Sequence, residues 1–212
     1  MDGNAIKAVI FDFDGTLYDF SHLPENLALD SPHDLSFIKA ERAVRKELKG
    51  TDFGDSQSLR SHFNHRMSEL TKKSESEINE WYNHGYLQTM IRVLKEKYSA
   101  RNGTAELFRN LHARGIKIIV LSDYPCVDER MSAIGLGEDI QKLCDRICSA
   151  QEFGCYKPAA RPFLEIAEGL GVKAGECLVV GDRDDTDGEG ARAAGMNFLK
   201  IENDAANFPG IP

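Results

Sequence analysis

The sequence predicts an α/β fold, with a parallel sheet as its core and a helical segment inserted after the first strand. Two observations indicate this class. Short apolar runs stand at Ala8–Phe11, Ile116–Leu121 and Cys177–Val180, and such runs are typical of buried parallel strands. From Asn102 onward, strand and helix patterns alternate as they do in βαβ units. Residues 20 to about 100 contain no convincing strand and are predicted to be helical throughout.

The first strand runs directly into two carboxylates. Asp12 and Asp14 are two residues apart, so both point to the same side of an extended chain, and Gly15 then lets the backbone turn. Two close carboxylates repel each other unless they share a proton or a cation, which favours an acid–base pair or a metal site. A plain turn is the alternative from these residues alone. Their position favours a site, because ligands of open α/β sheets bind at the carboxyl ends of strands.

The helical segment is predicted to contain three amphipathic helices. The positions that indicate them recur at helical spacing: Leu35, Ile38, Arg42, Ala43 and Leu48 in the first, Leu59, Phe63, Met67 and Leu70 in the second, and Ile78, Trp81, Tyr82, Met90 and Leu94 in the third. Ser74 stands three residues before Glu77 and predicts a capping box at the start of the third helix.

After this segment the sequence predicts the remaining elements of the sheet. Apolar positions, proline and glycine mark them in this order: a helix through Leu107–Leu111, the strand Ile116–Leu121, a helix near Val127–Ile134, a short strand near Arg146–Cys148, a loop at Phe153–Pro158, a helix opened by Pro162, the strand Cys177–Val180, a helix through Ala191–Ala194 and a last strand near Asn197–Ile201.

Composition narrows the class of function. The chain has 212 residues, 42% of them hydrophobic, and a formal net charge of −8 with no basic tract, which argues against nucleic acid as a partner. It has no long apolar span and no signal-peptide pattern at its start, so we expect a soluble cytoplasmic protein without a membrane partner. The five cysteines are odd in number and are predicted to be buried or half-buried thiols. The oligomeric state is left open.

Polar side chains follow three of the predicted strands. Asp12 and Asp14 follow the first, Ser122 the second and Asp182 the strand at Cys177–Val180, and a parallel sheet brings these strand ends to one edge. Lys157 lies on a loop that would join them. Because each polar residue comes directly after an apolar strand, the ordered set indicates a functional site.

These residues resemble the motifs of the haloacid dehalogenase superfamily of hydrolases. Asp12–Leu17 is similar to its nucleophile motif, Leu121–Asp123 to its second motif, Lys157–Pro158 to its third and Gly181–Gly188 to its fourth. The match covers nearly the whole chain. It implies a Rossmann-like catalytic core over residues 1–19 and 100–212, and a helical cap domain over residues 20–99.

The resemblance implies a Mg²⁺-dependent phosphatase that acts on a small phosphorylated metabolite. Asp12 would attack phosphorus to form an aspartyl-phosphate, and Asp14 would protonate the leaving oxygen and then deprotonate the attacking water. Ser122, Asp123 and Lys157 are expected to contact the substrate, with Ser122 and Lys157 stabilising charge on the phosphoryl group. Asp123 departs from the pattern, since many relatives carry Asn there.

Carboxylate oxygens suit Mg²⁺, and the expected ligands come from four aspartates. They are Asp12, Asp14 through its backbone carbonyl, Asp182, and Asp187 directly or through water. Three other functions are compatible with this fold. A phosphomutase shares the aspartyl-phosphate, a dehalogenase would leave Asp14 and the metal-binding acids unused, and a non-catalytic binding protein would not be expected to keep every chemical group in place.

Overall fold

The computed structural model describes residues 5–202 and Phe208. Over this part of the chain the strands form one parallel five-stranded sheet in the order β3-β2-β1-β4-β5. The strands are β1 (Ala8–Asp12), β2 (Lys117–Ser122), β3 (Arg146–Ser149), β4 (Cys177–Gly181) and β5 (Asn197–Lys200). The predicted parallel sheet is therefore confirmed, and its order changes direction beside β1, the central strand.

The central strands are buried on both faces, which explains why their sequences are continuously apolar. All residues of β1 and β4 are buried, and in β2 only Lys117 is exposed. Alternate side chains pack into two apolar clusters on opposite faces: Val9 and Phe11 lie in one cluster, and Ala8 and Ile10 lie in the other. This alternation fixes the register of the strands, since a slip of one residue would exchange the two faces.

Helices account for most of the remaining described residues. They are α1 (Leu23–Asp30), α2 (Leu35–Leu48), α3 (Ser56–Thr71), α4 (Glu75–Glu80), α5 (Leu87–Lys97), α6 (Thr104–Ala113), α7 (Val127–Ala133), α8 (Glu138–Gln141), α9 (Arg161–Gly169) and α10 (Glu189–Ala193), with π-helical turns at Trp81–Tyr86 and Asp184–Gly188. None of the described helices combines the length and the apolar character needed to cross a bilayer. All five cysteines are free and buried or half-buried, as predicted.

The inserted segment is helical, as predicted, but its helices differ in detail. Leu35 and Leu70, assigned to apolar faces, are 39% and 48% exposed. The predicted third helix begins with the Ser74–Glu77 capping box but is divided into α4, a π-helical segment and α5. The helix α1 had no separate prediction, because its eight residues carry only a weak apolar pattern.

The helical segment and the sheet share an apolar core. One cluster of buried side chains extends from Phe11 in β1 through Phe108 in α6 to Val93 and Leu94 in α5. The division into domains at residues 19/20 and 99/100 stays a prediction, and its outer ends, residues 1–4 and the positions after Glu202 other than Phe208, lie outside the described part of the chain.

Candidate active site

The acidic residues meet at the carboxyl edge of the sheet, as the strand pattern predicts. Two glycines allow the loops to approach each other. A side chain on Gly15, which has φ +88°, would place its Cβ 2.3 Å from Asp182 Oδ2, and a Cβ on Gly181 would lie 2.5 Å from Asp187. Both positions therefore require glycine for the acidic loops to close around Asp12.

Three aspartates form a cluster there. Oxygens of Asp12, Asp182 and Asp187 lie within 4.8 Å of one another. Burial and the neighbouring carboxylates, Asp187 above all, raise the pKa of Asp12 well above its ordinary value, although the charge of Lys157 opposes this shift. Burial and the charge of Asp187 raise the pKa of Asp182 to about 6. Burial and the closeness of the three carboxyl groups therefore both favour a shared proton or cation in the cluster.

Lys157 lies within this cluster and partly neutralises it. Its Nζ donates hydrogen bonds to Asp12 and, at 2.6 Å, to Asp187, and the residue is 3% exposed. Burial alone would lower the pKa of Lys157, but Asp12 and Asp187 raise it well above its ordinary value. Thr16 donates a further hydrogen bond to Asp12 Oδ2 at 2.8 Å. Lys157 is thus a fixed positive charge beside the predicted nucleophile.

The carboxylate of Asp14 lies outside this cluster. It accepts hydrogen bonds from Tyr18 at 2.6 Å, from Ser122 at 2.9 Å and from Arg130. Burial would raise the pKa of Asp14, but the charge and hydrogen bond of Arg130, with the bonds from Tyr18 and Ser122, lower it below its ordinary value. The predicted metal contact of Asp14 through its backbone carbonyl stays a prediction.

Ser122 and Asp123 connect the second predicted motif to the third. Besides donating to Asp14, Ser122 Oγ accepts the Tyr124 N–H at 3.1 Å and Arg130 Nη1 at 3.0 Å. Asp123 Oδ1 accepts the backbone N–H of Lys157 at 2.9 Å. Asp123 therefore holds the loop that carries the buried lysine, a contact that the side-chain oxygen of Asn could also make.

A cavity of about 500 Å³ opens over the acidic cluster. The sheet domain contributes Asp12, Asp14, Asp123, Tyr124, Tyr156, Lys157, Asp182, Arg183, Thr186 and Asp187 to its lining, and the residues after the nucleophile turn contribute Phe20, Arg42, Ala43, Arg45, Lys46 and Lys49. The cavity has the volume of a small-molecule site. All seven residues assigned from the sequence are near it: six line it, and Ser122 bonds to Asp14 in its wall.

Sequence reasoning missed Arg130 and Tyr18, which hold Asp14. Arg130 is fully buried, and its guanidinium lies 4.6 Å from the centre of the Phe13 ring. The only sequence signal for Arg130 was its place on α7, the helix that follows the strand ending at Ser122. Tyr18 stands four residues after Asp14, just beyond the Asp12–Leu17 motif, and no role was predicted for it from the sequence.

Comparison with known proteins identifies the family of the chain. The family model described as haloacid dehalogenase-like hydrolase matches residues 6–195. The chain belongs to this family. The match includes all four predicted motifs, so the hydrolase resemblance derived from the sequence is confirmed.

Two relatives and one solved structure illustrate the range of this family. The chain is 27% identical over 205 residues to a glyceraldehyde 3-phosphate phosphatase of Methanocaldococcus jannaschii, covering 92% of this chain and 85% of the relative. It is 26% identical over 214 residues to a ribulose-1,5-bisphosphate 5-phosphatase of Halopiger xanaduensis, covering 92% and 84%. A 2-haloacid dehalogenase of Pseudomonas syringae superposes with a TM-score of 0.63 at 18% identity, covering 92% and 86%, which shows a common fold.

Proposed function

We propose that the protein is a Mg²⁺-dependent phosphatase that hydrolyses a small phosphate monoester through an aspartyl-phosphate. The observation that carries this proposal is the arrangement of Asp12, which is buried beside Lys157 and two further aspartates under a 500 Å³ cavity. A carboxylate nucleophile, a fixed cation and an acidic cluster are the groups that phosphoryl transfer requires.

In the first half-reaction an Asp12 carboxylate oxygen forms a bond to phosphorus, the bond from phosphorus to the ester oxygen breaks, and Asp14 gives its proton to that oxygen. A phosphate dianion next to Asp14 favours the protonated form that this step needs, because a negative charge raises the pKa of a neighbouring acid. Lys157 stays paired with the nucleophile and offsets charge that develops on the phosphoryl oxygens.

In the second half-reaction water attacks phosphorus, Asp14 takes a proton from the water, and the bond between phosphorus and Asp12 breaks. Phosphate is released, the Asp12 carboxylate is regenerated, and Asp14 again holds the proton that the first half-reaction uses. The contacts of Tyr18, Ser122 and Arg130 favour the ionised form of Asp14 once the alcohol has left, since all three donate hydrogen bonds to its carboxylate.

The acidic cluster fits Mg²⁺. Its ligands would be oxygens of Asp12, Asp182 and Asp187, which are hard donors. Asp182 Oδ1 is buried and accepts no hydrogen bond from the described residues, as expected of an oxygen directed toward a cation. Bound Mg²⁺ would screen the repulsion between the phosphate dianion and the carboxylates.

The names of the relatives support a small phosphorylated metabolite as substrate. The relatives from M. jannaschii and H. xanaduensis are named as phosphatases of a triose phosphate and of a pentose bisphosphate. A cavity of this size suits molecules of that class. We also propose a cytoplasmic location, which five free thiols support.

The proposal is tested by phosphate release from p-nitrophenyl phosphate with Mg²⁺, with excess chelator, and with the Asp12→Asn variant. We expect turnover only with Mg²⁺, and a loss of at least about a hundredfold in the variant, because an amide has the shape of a carboxylate but is a poor nucleophile. Asp139→Asn is the matched control, since Asp139 is exposed on α8 and pairs with Arg109.

Full turnover in chelator would contradict the metal requirement. An Asp12→Asn variant that is folded by circular dichroism and keeps more than about a hundredth of the wild-type rate would contradict the assigned nucleophile. Transfer of the phosphoryl group to a sugar phosphate, in place of its release, would identify a phosphomutase.

A further inference from the structure

Helix α2 presents a row of cations to the cavity. Arg42, Arg45 and Lys46 of α2 line the cavity, as does Lys49, the residue directly after the helix. Their spacing of three and four residues places the helical members on one side of α2. The lining as a whole contains six cationic side chains and five carboxylates. In a chain of net charge −8, this wall is therefore locally basic.

Two of the four cations have structural partners across the cavity. The Arg45 guanidinium lies 3.8 Å from the centre of the Tyr124 ring and 4.6 Å from that of Tyr156, and Nη1 donates to the Asp123 carbonyl at 3.1 Å. Lys49 pairs with Asp185. These contacts hold α2 over the acidic cluster and orient the rest of the helix.

The other two cations have no such partner. Arg42 and Lys46 are exposed, and neither forms a salt bridge to any other described residue. Solvated helix charge is an insufficient explanation for both, because they line the concave site that receives a phosphate dianion under the proposed function. Lys95 on α5 is also exposed and forms no salt bridge with the described residues, but it does not line the cavity.

We propose that the substrate carries a second anionic group, a carboxylate or a phosphate, which Arg42 and Lys46 bind on the α2 wall while its phosphate ester lies over Asp12. This inference rests on the proposed phosphatase function and narrows its substrate class. The planar guanidinium of Arg42 matches the two oxygens of either group, and the ammonium of Lys46 adds a point charge beside it.

The test compares phosphate esters whose remote group is an anion in one member of a pair and a neutral alcohol in the other. One pair is 3-phosphoglycerate and glycerol 1-phosphate, and the other is propane-1,3-diol bisphosphate and propane-1,3-diol monophosphate. In the wild-type protein, kcat/KM should be higher for the charged member of at least one pair by about tenfold or more, since a hydrogen bond to a charged group contributes at least that factor. The pair with the larger ratio distinguishes a carboxylate from a phosphate.

The double substitution Arg42→Gln and Lys46→Gln should reduce that ratio to within about threefold of unity, mainly by raising KM for the charged member. The control Lys95→Gln removes a cation from α5 and should keep the wild-type ratio. Equal kcat/KM within both pairs in the wild-type protein would overturn the inference, and so would a ratio that survives the double substitution.

Hydrolysis of p-nitrophenyl phosphate separates this inference from the proposed function. If the wild-type protein hydrolyses the aryl phosphate but shows no preference for the charged esters, the phosphatase assignment stands and the second anionic group is wrong. If no ester is hydrolysed with Mg²⁺, the proposed function fails, and this inference fails with it.

Discussion

A single buried lysine determines the charge of the nucleophile's surroundings. Burial and, after it, the charge of Asp187 raise the pKa values of Asp12 and Asp182, and the ammonium of Lys157 opposes both shifts. The same lysine is held from the backbone side by Asp123. The position of the positive charge is therefore fixed before substrate arrives, as electrostatic preorganisation requires.

Glu41 is a buried acid outside the cluster of aspartates, and its pKa is also raised. It is fully buried in α2, and its Oε1 accepts no hydrogen bond within the described part of the chain. Arg45 Nε lies 3.5 Å from that oxygen. The Tyr86 hydroxyl is 3.5 Å from Oε2. Burial raises the pKa of Glu41 to about 7, and the charges of Arg45 and Arg42 oppose this shift.

This shift predicts a pH-dependent stability difference between the wild-type protein and Glu41→Gln. The pKa of Glu41 in the folded protein lies above the ordinary value of 4.5. Between pH 4.5 and about 7 the folded state therefore holds the proton that the unfolded state loses, and the free energy of unfolding falls as pH rises through this interval. Because the variant does not titrate there, its stability relative to wild type should increase by up to about 3 kcal/mol between pH 4.5 and pH 8.

Urea unfolding of both proteins at the two pH values measures this change. Every other titrating group contributes to both proteins and cancels in the difference. A difference in the free energy of unfolding that is the same at pH 4.5 and pH 8 would show that Glu41 has an ordinary pKa.

At the scale of elements, the strand ends were predictable and the irregular turns of the helices were not. Strand ends are marked where an apolar run stops at a polar residue, as at Asp12 and Ser122. The π-helical turn at Trp81–Tyr86 has no such signal in a window of helical periodicity. The burial pattern of the structure fits this turn, since Ile78, Tyr82, Tyr86 and Met90 are all buried at a constant spacing of four.

A spacing of four is longer than the 3.6 residues of an α-helical turn, so these four positions would drift around a regular helix. The wider turn with i→i+5 hydrogen bonds keeps them on one face.

The role of Arg130 was hidden for a related reason. Its contact with Asp14 depends on how α7 returns beneath the end of β2, which no local pattern encodes.

The capping box at the start of α4 provides the test at this scale. Ser74 Oγ accepts the Glu77 N–H at 3.2 Å, and Glu77 Oε2 accepts the Ser74 N–H at 3.0 Å. Ser74→Ala should lower the free energy of unfolding by about 1 kcal/mol, because it leaves a helix N–H without its side-chain acceptor. Ser76→Ala is the control, since Ser76 is exposed in the same turn and makes no side-chain hydrogen bond with the described residues.

Thermal or urea unfolding of the two variants gives the comparison. Equal stability losses for Ser74→Ala and Ser76→Ala would mean that the capping box does not stabilise α4. Turnover should be the same in both, because neither serine lines the cavity.

At the scale of the whole molecule, the helical segment and the sheet are joined at two places. One connection is the shared apolar cluster. The other is between the turn after α2 and the loop before Lys157, where Asp52 and Cys155 form an isolated antiparallel β-bridge and the Phe53 N–H donates to the Gly154 carbonyl at 2.9 Å. Arg161 also donates a hydrogen bond to the Asp52 side chain at 2.8 Å. Removing the helical segment would expose the shared core, so a single contact is the better place to test its role.

Gly154, which accepts the hydrogen bond from Phe53, is the position chosen for this test. It has φ +73°, and a Cβ there would lie 2.4 to 2.5 Å from backbone atoms of Asp55. Gly154→Ala therefore meets two obstacles, a left-handed conformation costing about 1–2 kcal/mol and a collision with the backbone at the start of α3. Gly115→Ala is the matched control, because Gly115 has φ +72° and no atom within 4 Å of the added Cβ.

We expect Gly154→Ala to lose more stability than Gly115→Ala in urea unfolding, and to lower kcat/KM for p-nitrophenyl phosphate while Gly115→Ala does not. The collision can be relieved only if the turn at residues 52–55 moves away from the loop of Lys157, which would withdraw α2 and its cations from the cavity. Equal losses of stability and unchanged turnover in both variants would show that this junction does not position the helical segment over the active site.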